Sequence, residues 1–334
     1  MVRLKADGLP TLSDIEVAER RIRQYIPPTP LEYSPGISRI VGREVYLKLE
    51  CFQPTRVFKI RGALNKLLSL SEDKLRNGVI TASSGNHGFA IAYASRLFGV
   101  DAVICVPKNV NPQKLRAISE QGAEVIRFGS GYDDTYRNSL REAKRRGLTF
   151  VHAFNDFDVI AGQGTCGLEI ARQERGIDSA VVAIGGGGLI SGIAIALKSK
   201  THATVYGAET VAIPSMFESI RKSRPVHIVP RRTIADGMQA SIPGDLTFRA
   251  VTKYVDRIGL VTDDEILDAI RQLFVYGRVL AEPAGASPLA AMEGPLRKVE
   301  GRRIVLVVSG GNISPEILER ALRRKPRGNF SGRK

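Results

Sequence analysis

The chain has 334 residues, of which 43% are hydrophobic, enough to bury one large domain or two interleaved domains. Its three cysteines have no paired spacing, which argues against a disulfide framework and a structural zinc site and favours the cytoplasm. Its first ten residues have no apolar run, which argues against secretion. The net charge of +15 lies largely in peripheral runs with few aromatic residues, which favours solvated surfaces over nucleic-acid binding.

The first informative feature in chain order is a strand-to-helix junction that carries Lys59. Residues 44–50 alternate apolar and charged side chains, which predicts a strand, and residues 63–68 have helical spacing. Most lysines lie on the surface, so Lys59 alone indicates little. A lysine whose pKa is lowered by burial can, however, form a Schiff base with an aldehyde.

Short apolar runs then alternate with amphipathic stretches. Further strands are predicted at 79–81, 102–106, 124–128, 180–184, 204–208 and 304–308. Helices are predicted to end at Phe98 and to span 111–121 and 132–146. Residues 162–167 match a dinucleotide-binding glycine pattern, but a polar segment rather than a core strand precedes them. Buried runs separated by helices indicate parallel sheets covered by helices, an α/β fold.

The strand at 180–184 is followed by a turn of four glycines: Gly185, Gly186, Gly187 and Gly188. With a helix predicted from about Leu189, the turn would offer free N–H groups and a positive helix end to an anion. It lacks the Gly-Lys-Ser/Thr ending of a nucleotide-binding loop, which favours a cofactor with one phosphate. A turn that only needed positive φ would rarely require four glycines. The glycines also divide residues 179–197, which by length could pass for a membrane span.

Two other turns follow predicted strands and carry polar side chains. The turn after 79–81 contains Ser83, Ser84, Asn86 and His87, which could bind a carboxylate. The alternatives are a serine that caps the helix and a histidine of the core. Ser309 follows the last core strand, at the carboxyl end of the sheet where ligands of open α/β proteins bind.

Together these segments resemble the fold-type II pyridoxal-phosphate enzymes, in the branch of threonine/serine dehydratases and serine racemases. The resemblance covers residues 25 to about 322 and rests on KLECFQPTRVFKIRGA, TASSGNHGFAIAYA, VNPQKLRAISEQGAEV, AGQGTCGLEI, IGGGGLISG, TIADGM, AEPAGA and VVSGGN. It implies a tryptophan synthase β-like fold with two open, twisted, mostly parallel sheets covered by helices. The implied large, cofactor-binding domain comprises residues 1–62 and 154–334, the small domain comprises 63–153, and no C-terminal regulatory domain is expected.

The resemblance also implies which residues form the site for pyridoxal 5′-phosphate. It assigns cofactor contacts to Phe58 against the ring, Lys59 as the internal aldimine, Asn86 at the ring hydroxyl oxygen, Gly185, Gly186, Gly187 and Gly188 at the phosphate, and Ser309 at the pyridine nitrogen. The substrate carboxylate would accept from N–H groups of Ser83, Asn86 and His87. The freed Lys59 amine would abstract the α-proton, and Ser84 would serve as a proton donor on the opposite face.

The activity that this implies is dehydration of L-threonine and L-serine to a 2-oxo acid and ammonia, with some serine racemisation. A neutral serine at the ring nitrogen makes the ring a weaker electron sink, which favours loss of the β-hydroxyl. A predominant serine racemase and a hydroxyaspartate dehydratase or racemase remain alternatives. A β-replacement transferase such as a cysteine synthase is less favoured, because its lysine motif lacks the Phe-Lys-Ile-Arg-Gly-Ala form of residues 58–63. A nucleic-acid-binding protein on an inactive enzyme scaffold is also less favoured.

The chain departs from the family pattern at several positions. Arg56 and Val57 replace a common Gly-Ser pair, and Phe89 replaces a frequent glutamine. Serine racemases bind a divalent cation, and Glu209 matches one ligand, but Ser215 stands where an aspartate is expected. A Mg²⁺ or Ca²⁺ site at Glu209 is therefore an open prediction. The resemblance further implies a homodimer that acts on a small hydroxy amino acid and binds neither nucleic acid nor a membrane.

Overall fold

The computed structural model of the chain describes residues 8–110, 112–129 and 131–325. The strands within these ranges are β1 Leu31–Tyr33, β2 Glu44–Leu49, β3 Val79–Ala82, β4 Ala102–Val106, β5 Glu124–Arg127, β6 Thr149–Phe150, β7 Ser179–Ala183, β8 Thr204–Thr210, β9 Arg257–Val261 and β10 Arg303–Val308. The helices are α1 Leu12–Ile22, α2 Pro35–Val41, α3 Lys59–Ser69, α4 Glu72–Asn77, α5 Asn86–Phe98, α6 Pro112–Ser119, α7 Tyr132–Arg146, α8 Phe157–Gln173, α9 Gly188–Lys200, α10 Ser215–Arg221, α11 Asp245–Tyr254, α12 Asp263–Val275, α13 Pro283–Glu293 and α14 Pro315–Leu322.

The larger sheet has six strands in the order β1-β2-β10-β7-β8-β9. All neighbours pair in parallel except β1 and β2. The central strand β10 places Val305 opposite Tyr46 on one side and Ala180 on the other. The carboxyl ends of β10 and β7 therefore meet at one edge, where the turns that begin at Ser309 and Ile184 lie.

Helices cover both faces of this sheet because its strands are apolar on both faces. On β10, Ile304, Leu306 and Val308 belong to the core that includes buried residues of α12 and α13. The alternating residues Val305 and Val307 pack in a separate core with residues of α9. A strand buried on both faces is typical of a parallel sheet, as the sequence predicts.

The smaller sheet has four strands in the order β5-β4-β3-β6, all parallel. The prediction of an α/β protein with two mostly parallel sheets covered by helices is confirmed. The strands of the smaller sheet lie between Val79 and Phe150. The division into a large domain of 1–62 and 154–334 and a small domain of 63–153 stays a prediction.

Several element boundaries differ from the sequence-based expectation. Helix α3 begins at Lys59 itself, and α9 begins at Gly188, one residue before the expected start. Helix α6 begins at Pro112 and ends at Ser119, and residue 111 lies outside the described residues.

Residues 162–167, which match the dinucleotide pattern, lie inside α8 and form no ligand-binding turn. Their glycines allow helices to approach closely. A Cβ at Gly162 would lie 2.7 Å from the carbonyl oxygen of Arg61 in α3. A Cβ at Gly167 would lie 2.9 Å from the carbonyl oxygen of Ile193 in α9. The glycine pattern therefore serves the packing of α8 against α3 and α9, next to the start of α3.

Residues 179–197, whose length suits a membrane span, divide into strand β7, the glycine turn and part of α9. In the part of the chain that the structure describes, every helix is too short or too polar to span a bilayer.

Candidate active site

Lys59 is the first residue of α3, and the segment before it is hydrogen-bonded to the turn after β10. The N–H of Phe58 donates to the carbonyl oxygen of Ser309 at 3.0 Å. Val57 and Gly310 form an isolated antiparallel bridge. These backbone bonds bring Lys59 and Ser309 together, although 250 positions separate them in the sequence. Two of the residues that the sequence predicts for one site thus lie on directly bonded segments.

The side chain of Lys59 lies in a partly buried position. Its Nζ donates to the carbonyl oxygen of Ala153 at 2.8 Å and lies 5.1 Å from the centroid of the Phe58 ring. Burial lowers the pKa of Lys59 to about 8, although the negative charge of Glu282 opposes this shift. At pH 7 about a tenth of the amine is therefore unprotonated, which is the state that reacts with an aldehyde.

The first turn of α3 is anchored by a buried network of charges. The Arg61 guanidinium forms ion pairs with Glu50 and Glu169, both at 2.6 Å, and Lys48 pairs with Glu169, also at 2.6 Å. Burial alone would raise the pKa of Glu50, but the charge and hydrogen bonds of Arg61 lower it to about 2. The two cations and two anions balance, so the network joins β2, α3 and α8 without a net charge.

Asn86, the first residue of α5, lies next to the turn after β10. Its Nδ2 donates to the two carboxylate oxygens of Glu282 at 3.0 and 2.9 Å. Its Oδ1 accepts from Nδ2 of Asn312 at 2.9 Å. The sequence analysis assigned no role to Glu282, although its segment, AEPAGA, was among the motifs of the resemblance. Glu282 orients the Asn86 amide, and its negative charge opposes the lowering of the Lys59 pKa by burial.

The turn between β3 and α5 holds Ser83 and Ser84, and His87 follows as the second residue of α5. Oγ of Ser83 accepts from the N–H of Gly85 at 3.3 Å, and Ser84 lies half-buried in the same turn. His87 is buried, and its Nε2 lies 3.4 Å from the carbonyl oxygen of Val151. Burial, followed by the nearby charge of Lys59, holds the pKa of His87 well below its usual range. His87 is therefore neutral near pH 7.

The glycine turn before α9 is enclosed so tightly that larger residues would not fit. A Cβ at Gly186 would collide with the ring of Phe154, and one at Gly185 would lie 2.7 Å from the carbonyl oxygen of Gly237. Gly187 has a φ of +90°, in the region that favours glycine. This is the N-terminus of a 13-residue helix whose first N–H groups have no partners in the helix itself. The turn therefore fits a phosphate group.

Sequence analysis also missed the turn at residues 152–155, which connects Lys59 with the glycine turn. Ala153 accepts from the Lys59 amine, and Phe154 packs against Gly186. Burial, followed by the charge of Lys59, lowers the pKa of His152 to about 4. The available signal was its place directly after the apolar residues Phe150 and Val151, at the carboxyl end of a strand.

Ser309 supplies a direct test of whether pyridoxal phosphate fits the site. The residue is 1% exposed, and its Oγ has no hydrogen-bond partner among the described residues. A buried hydroxyl without a partner is costly unless a ligand completes it. A pyridine nitrogen is an acceptor for such a hydroxyl. With the Lys59 amine and the glycine turn, the residues present fit the aldehyde, the phosphate and the ring nitrogen of this cofactor.

Glu209 lies behind the glycine turn, and its environment differs from that of a cation ligand. Its carboxylate oxygens accept from the N–H groups of Met216 and Phe217 at 2.8 and 2.9 Å. Burial raises the pKa of Glu209 to about 8, an effect that these bonds oppose. Ser215 donates to the carbonyl oxygen of Ala240 at 2.7 Å. Across the described ranges, no three His, Cys, Asp or Glu side chains form a group that could hold a metal ion.

Comparison with known proteins identifies a family whose cofactor fits the geometry of the site. The sequence profile of the family described as pyridoxal-phosphate dependent enzyme matches residues 22–310. The chain is 42% identical to the L-threonine ammonia-lyase of Thermotoga maritima over 94% of its own length and 78% of that protein. It is 39% identical to the catabolic L-threonine dehydratase of Staphylococcus aureus, over 93% of the chain and 92% of that protein.

A solved structure also matches most of the fold. The structure of maize serine racemase superimposes with a TM-score of 0.89 at 34% sequence identity. The match covers 93% of this chain and 96% of the maize chain. Because the family profile spans most of the sequence and the relatives exceed 30% identity, this chain belongs to the pyridoxal-phosphate dependent enzymes of the threonine ammonia-lyase and serine racemase type.

Proposed function

We propose that the protein is a pyridoxal-phosphate dependent dehydratase that converts L-threonine and L-serine into a 2-oxo acid and ammonia, and that it also racemises serine. The observation that carries the proposal is that the backbone next to Lys59 is hydrogen-bonded to Ser309, whose buried hydroxyl has no partner among the described residues, in a chain that is 42% identical to an L-threonine ammonia-lyase. The serine racemase similarity supports the second activity.

Pyridoxal phosphate, when bound, withdraws electrons from the α-carbon of an attached amino acid. In the proposed mechanism Phe58, Asn86, Ser309 and the glycines 185–188 hold this group. Lys59 would hold its aldehyde, and the Lys59 amine would take the α-proton of the substrate as a general base, a role that suits a pKa of about 8. Ser309 would donate a hydrogen bond to the ring nitrogen without supplying charge, which would favour elimination of the β-hydroxyl. Ser83, Asn86 and His87 bind the substrate carboxylate.

The test of the whole proposal is product analysis with the purified protein. We expect ammonia and a 2-oxo acid from L-threonine and L-serine, and the loss of both the activity and the visible absorbance of bound cofactor in Lys59→Ala. Assays with D-serine, 3-hydroxyaspartate and an added thiol compare the alternatives. Predominant thiol addition would indicate a β-replacement transferase. Predominant turnover of 3-hydroxyaspartate would mean that this amino acid, and not threonine or serine, is the main substrate.

The racemase part of the proposal depends on Ser84, for which we propose a proton-donor role on the face opposite Lys59. Its half-buried position in the turn that also carries Ser83 and Asn86 supports this role. Ser84→Ala is expected to abolish serine racemisation while L-serine elimination persists. Ser83→Ala is the matched comparison, because it removes the neighbouring hydroxyl and keeps the backbone N–H, so both reactions should persist. Equal loss of both reactions in Ser84→Ala would contradict the proposed role.

Four further properties complete the proposal. We expect a cytoplasmic homodimer with a small domain of residues 63–153. Light scattering measures the mass of the dimer, and limited proteolysis tests the domain boundaries. A Mg²⁺ or Ca²⁺ ion at Glu209 has the weakest support, because backbone N–H groups already bind this carboxylate. Activity that is unchanged after treatment with a chelator would remove the cation from the proposal.

A further inference from the structure

The turn at residues 152–155 contacts the candidate site at several points. The carbonyl oxygen of Ala153 accepts from the Lys59 amine at 2.8 Å. The ring of Phe154 lies against Gly186, and the side chain of Asn155 accepts from the N–H of Leu246 at 3.0 Å. The conformation of this turn therefore sets the position of the acceptor that holds the amine.

The imidazole of His152 holds the turn in its observed conformation. Its Nδ1 lies 3.2 Å from the backbone nitrogen of Phe154 and 2.9 Å from that of Asn155. Both backbone groups are donors, so Nδ1 is the acceptor and the neutral ring carries its proton on Nε2. A side-chain acceptor that binds the N–H groups two and three residues later is a known way to fix a turn.

Aromatic neighbours fix the orientation of the same ring. Its centroid lies 4.5 Å from that of Phe154 at an interplanar angle of 85°. Tyr136 of α7 and Phe150 of β6 make edge contacts at 5.7 and 6.3 Å. The depressed pKa of His152, about 4, keeps the ring neutral near pH 7, as acceptance of two N–H bonds requires.

We propose that His152 is a positioning residue for Lys59, because it holds residues 153–155 so that the Ala153 carbonyl fixes the amine for reaction with the cofactor aldehyde. His152 acts through hydrogen bonds to the backbone and not by contact with the reacting atoms. The inference rests on the proposed role of Lys59 and on no other part of the proposed function. The competing explanation is that the ring only fills space between Tyr136 and Phe154.

A matched pair of variants separates the acceptor from the space that the ring fills. Asn and Leu have nearly the same shape, but only Asn places an acceptor at the position of Nδ1. His152→Asn therefore keeps the acceptor, and His152→Leu removes it. His152→Phe keeps a ring without an acceptor and serves as the second test if the Leu variant fails to fold. Thermal unfolding of each variant establishes that it is folded.

The first measurement uses the cofactor-free protein. We expect His152→Leu and His152→Phe to lose hydrogen-exchange protection at the amides of Phe154 and Asn155, and His152→Asn to keep it. Protection that is retained in the Leu and Phe variants would overturn the inference, because the turn would not depend on the acceptor. This measurement involves neither the cofactor nor activity.

The second measurement connects the turn to Lys59. We expect the affinity for pyridoxal phosphate to fall by about three- to tenfold in the Leu and Phe variants, the effect of one lost hydrogen bond, and to stay within about twofold of wild type in His152→Asn. Pyridoxal, which has no phosphate, should lose affinity by the same factor. An equal loss in all three variants would overturn the inference, because the acceptor would then not matter. A loss confined to pyridoxal phosphate would also overturn it, because the turn would then act on the glycine turn rather than the amine.

Lys59→Ala separates failure of this inference from failure of the proposed function. If the visible absorbance of the cofactor forms in wild type and disappears in Lys59→Ala, the role of Lys59 holds, and the His152 variants alone decide the inference. If that absorbance also forms in Lys59→Ala, the proposed role of Lys59 is wrong, and the inference falls with it.

Discussion

Lys59 is balanced between burial, which lowers the pKa of its amine, and the carboxylate of Glu282, which raises it. We expect Glu282→Gln to lower the pKa of Lys59 further below about 8, because the opposing charge is removed while the amide oxygen still accepts from Asn86. Competitive labelling of the cofactor-free protein with acetic anhydride over a range of pH measures this pKa on the Lys59 peptide. Asp264→Asn, at an exposed carboxylate, is the control. An unchanged or higher pKa in Glu282→Gln would contradict the prediction.

Among single residues, the sequence predicts those site residues whose type and sequence neighbours form a recognisable motif. Lys59, the four glycines and Ser309 stand in short motifs, and a strand-to-helix transition or the end of a core strand marks each of them. Glu282 and His152 have weaker local marks, because Glu282 lies in AEPAGA without a strand before it and His152 follows a strand of only two residues. Their importance comes from contacts with Asn86 and with the turn that binds Lys59, which only the folded chain brings together.

Among the elements, the glycine turn is the one most restricted in shape. We expect Gly186→Ala to weaken pyridoxal phosphate binding by about tenfold or more, because the new Cβ would collide with the Phe154 ring and force the turn to move. Titration of the cofactor-free protein by absorbance measures the affinity. At Gly131, whose φ is −152°, an added Cβ meets no atom within 4 Å, so Gly131→Ala is the matched control. Equal affinities of the two variants would show that the turn adapts.

Helix α3 depends on the buried ion pairs behind Lys59. We expect Glu169→Gln to destabilise the protein by about 3–5 kcal/mol, because Arg61 and Lys48 would then lie buried with one anion fewer. The exposed pair of Arg172 with Glu19 is the comparison, and Glu19→Gln should cost less than about 1 kcal/mol. Urea unfolding followed by circular dichroism gives both differences. A small effect of Glu169→Gln would mean that the network reorganises or admits water.

For the whole molecule, sequence patterns predict the fold class but not the contacts between distant segments that assemble the site. Apolar runs at 102–106 and 304–308 predict parallel sheets because such strands must be buried on both faces, and the structure confirms the fold class. Strands β1, β6 and β9 are absent from the prediction, because strands of two or three residues and a partly exposed edge strand have weak patterns. The strand order, and with it the contact between the Lys59 segment and the turn after β10, depends on pairing between distant segments that no local pattern records.

The pH dependence of stability is a property of the whole molecule, and the buried His87 and the partly buried His152 contribute to it. His152 has a pKa of about 4 in the folded protein, from burial and then the charge of Lys59, with Asp245 opposing, and an ordinary value near 6.5 when unfolded. Between these values the unfolded chain binds a proton that the folded protein does not, so the free energy of unfolding falls as the pH decreases from about 6.5 to 4. His87 shifts in the same direction.

We therefore expect the wild-type protein to lose about 2 kcal/mol more stability than His152→Asn between pH 7 and pH 5, since the variant lacks this group but keeps its acceptor. Urea unfolding at each pH measures the difference, and His227→Asn, at an exposed histidine, is the control for removing an imidazole. Parallel pH profiles for wild type and His152→Asn would mean that His152 accepts a proton in the folded protein near its ordinary pKa. The ring would then be charged and unable to accept the N–H groups of Phe154 and Asn155 in that pH range, and the Ala153 carbonyl would lose its support.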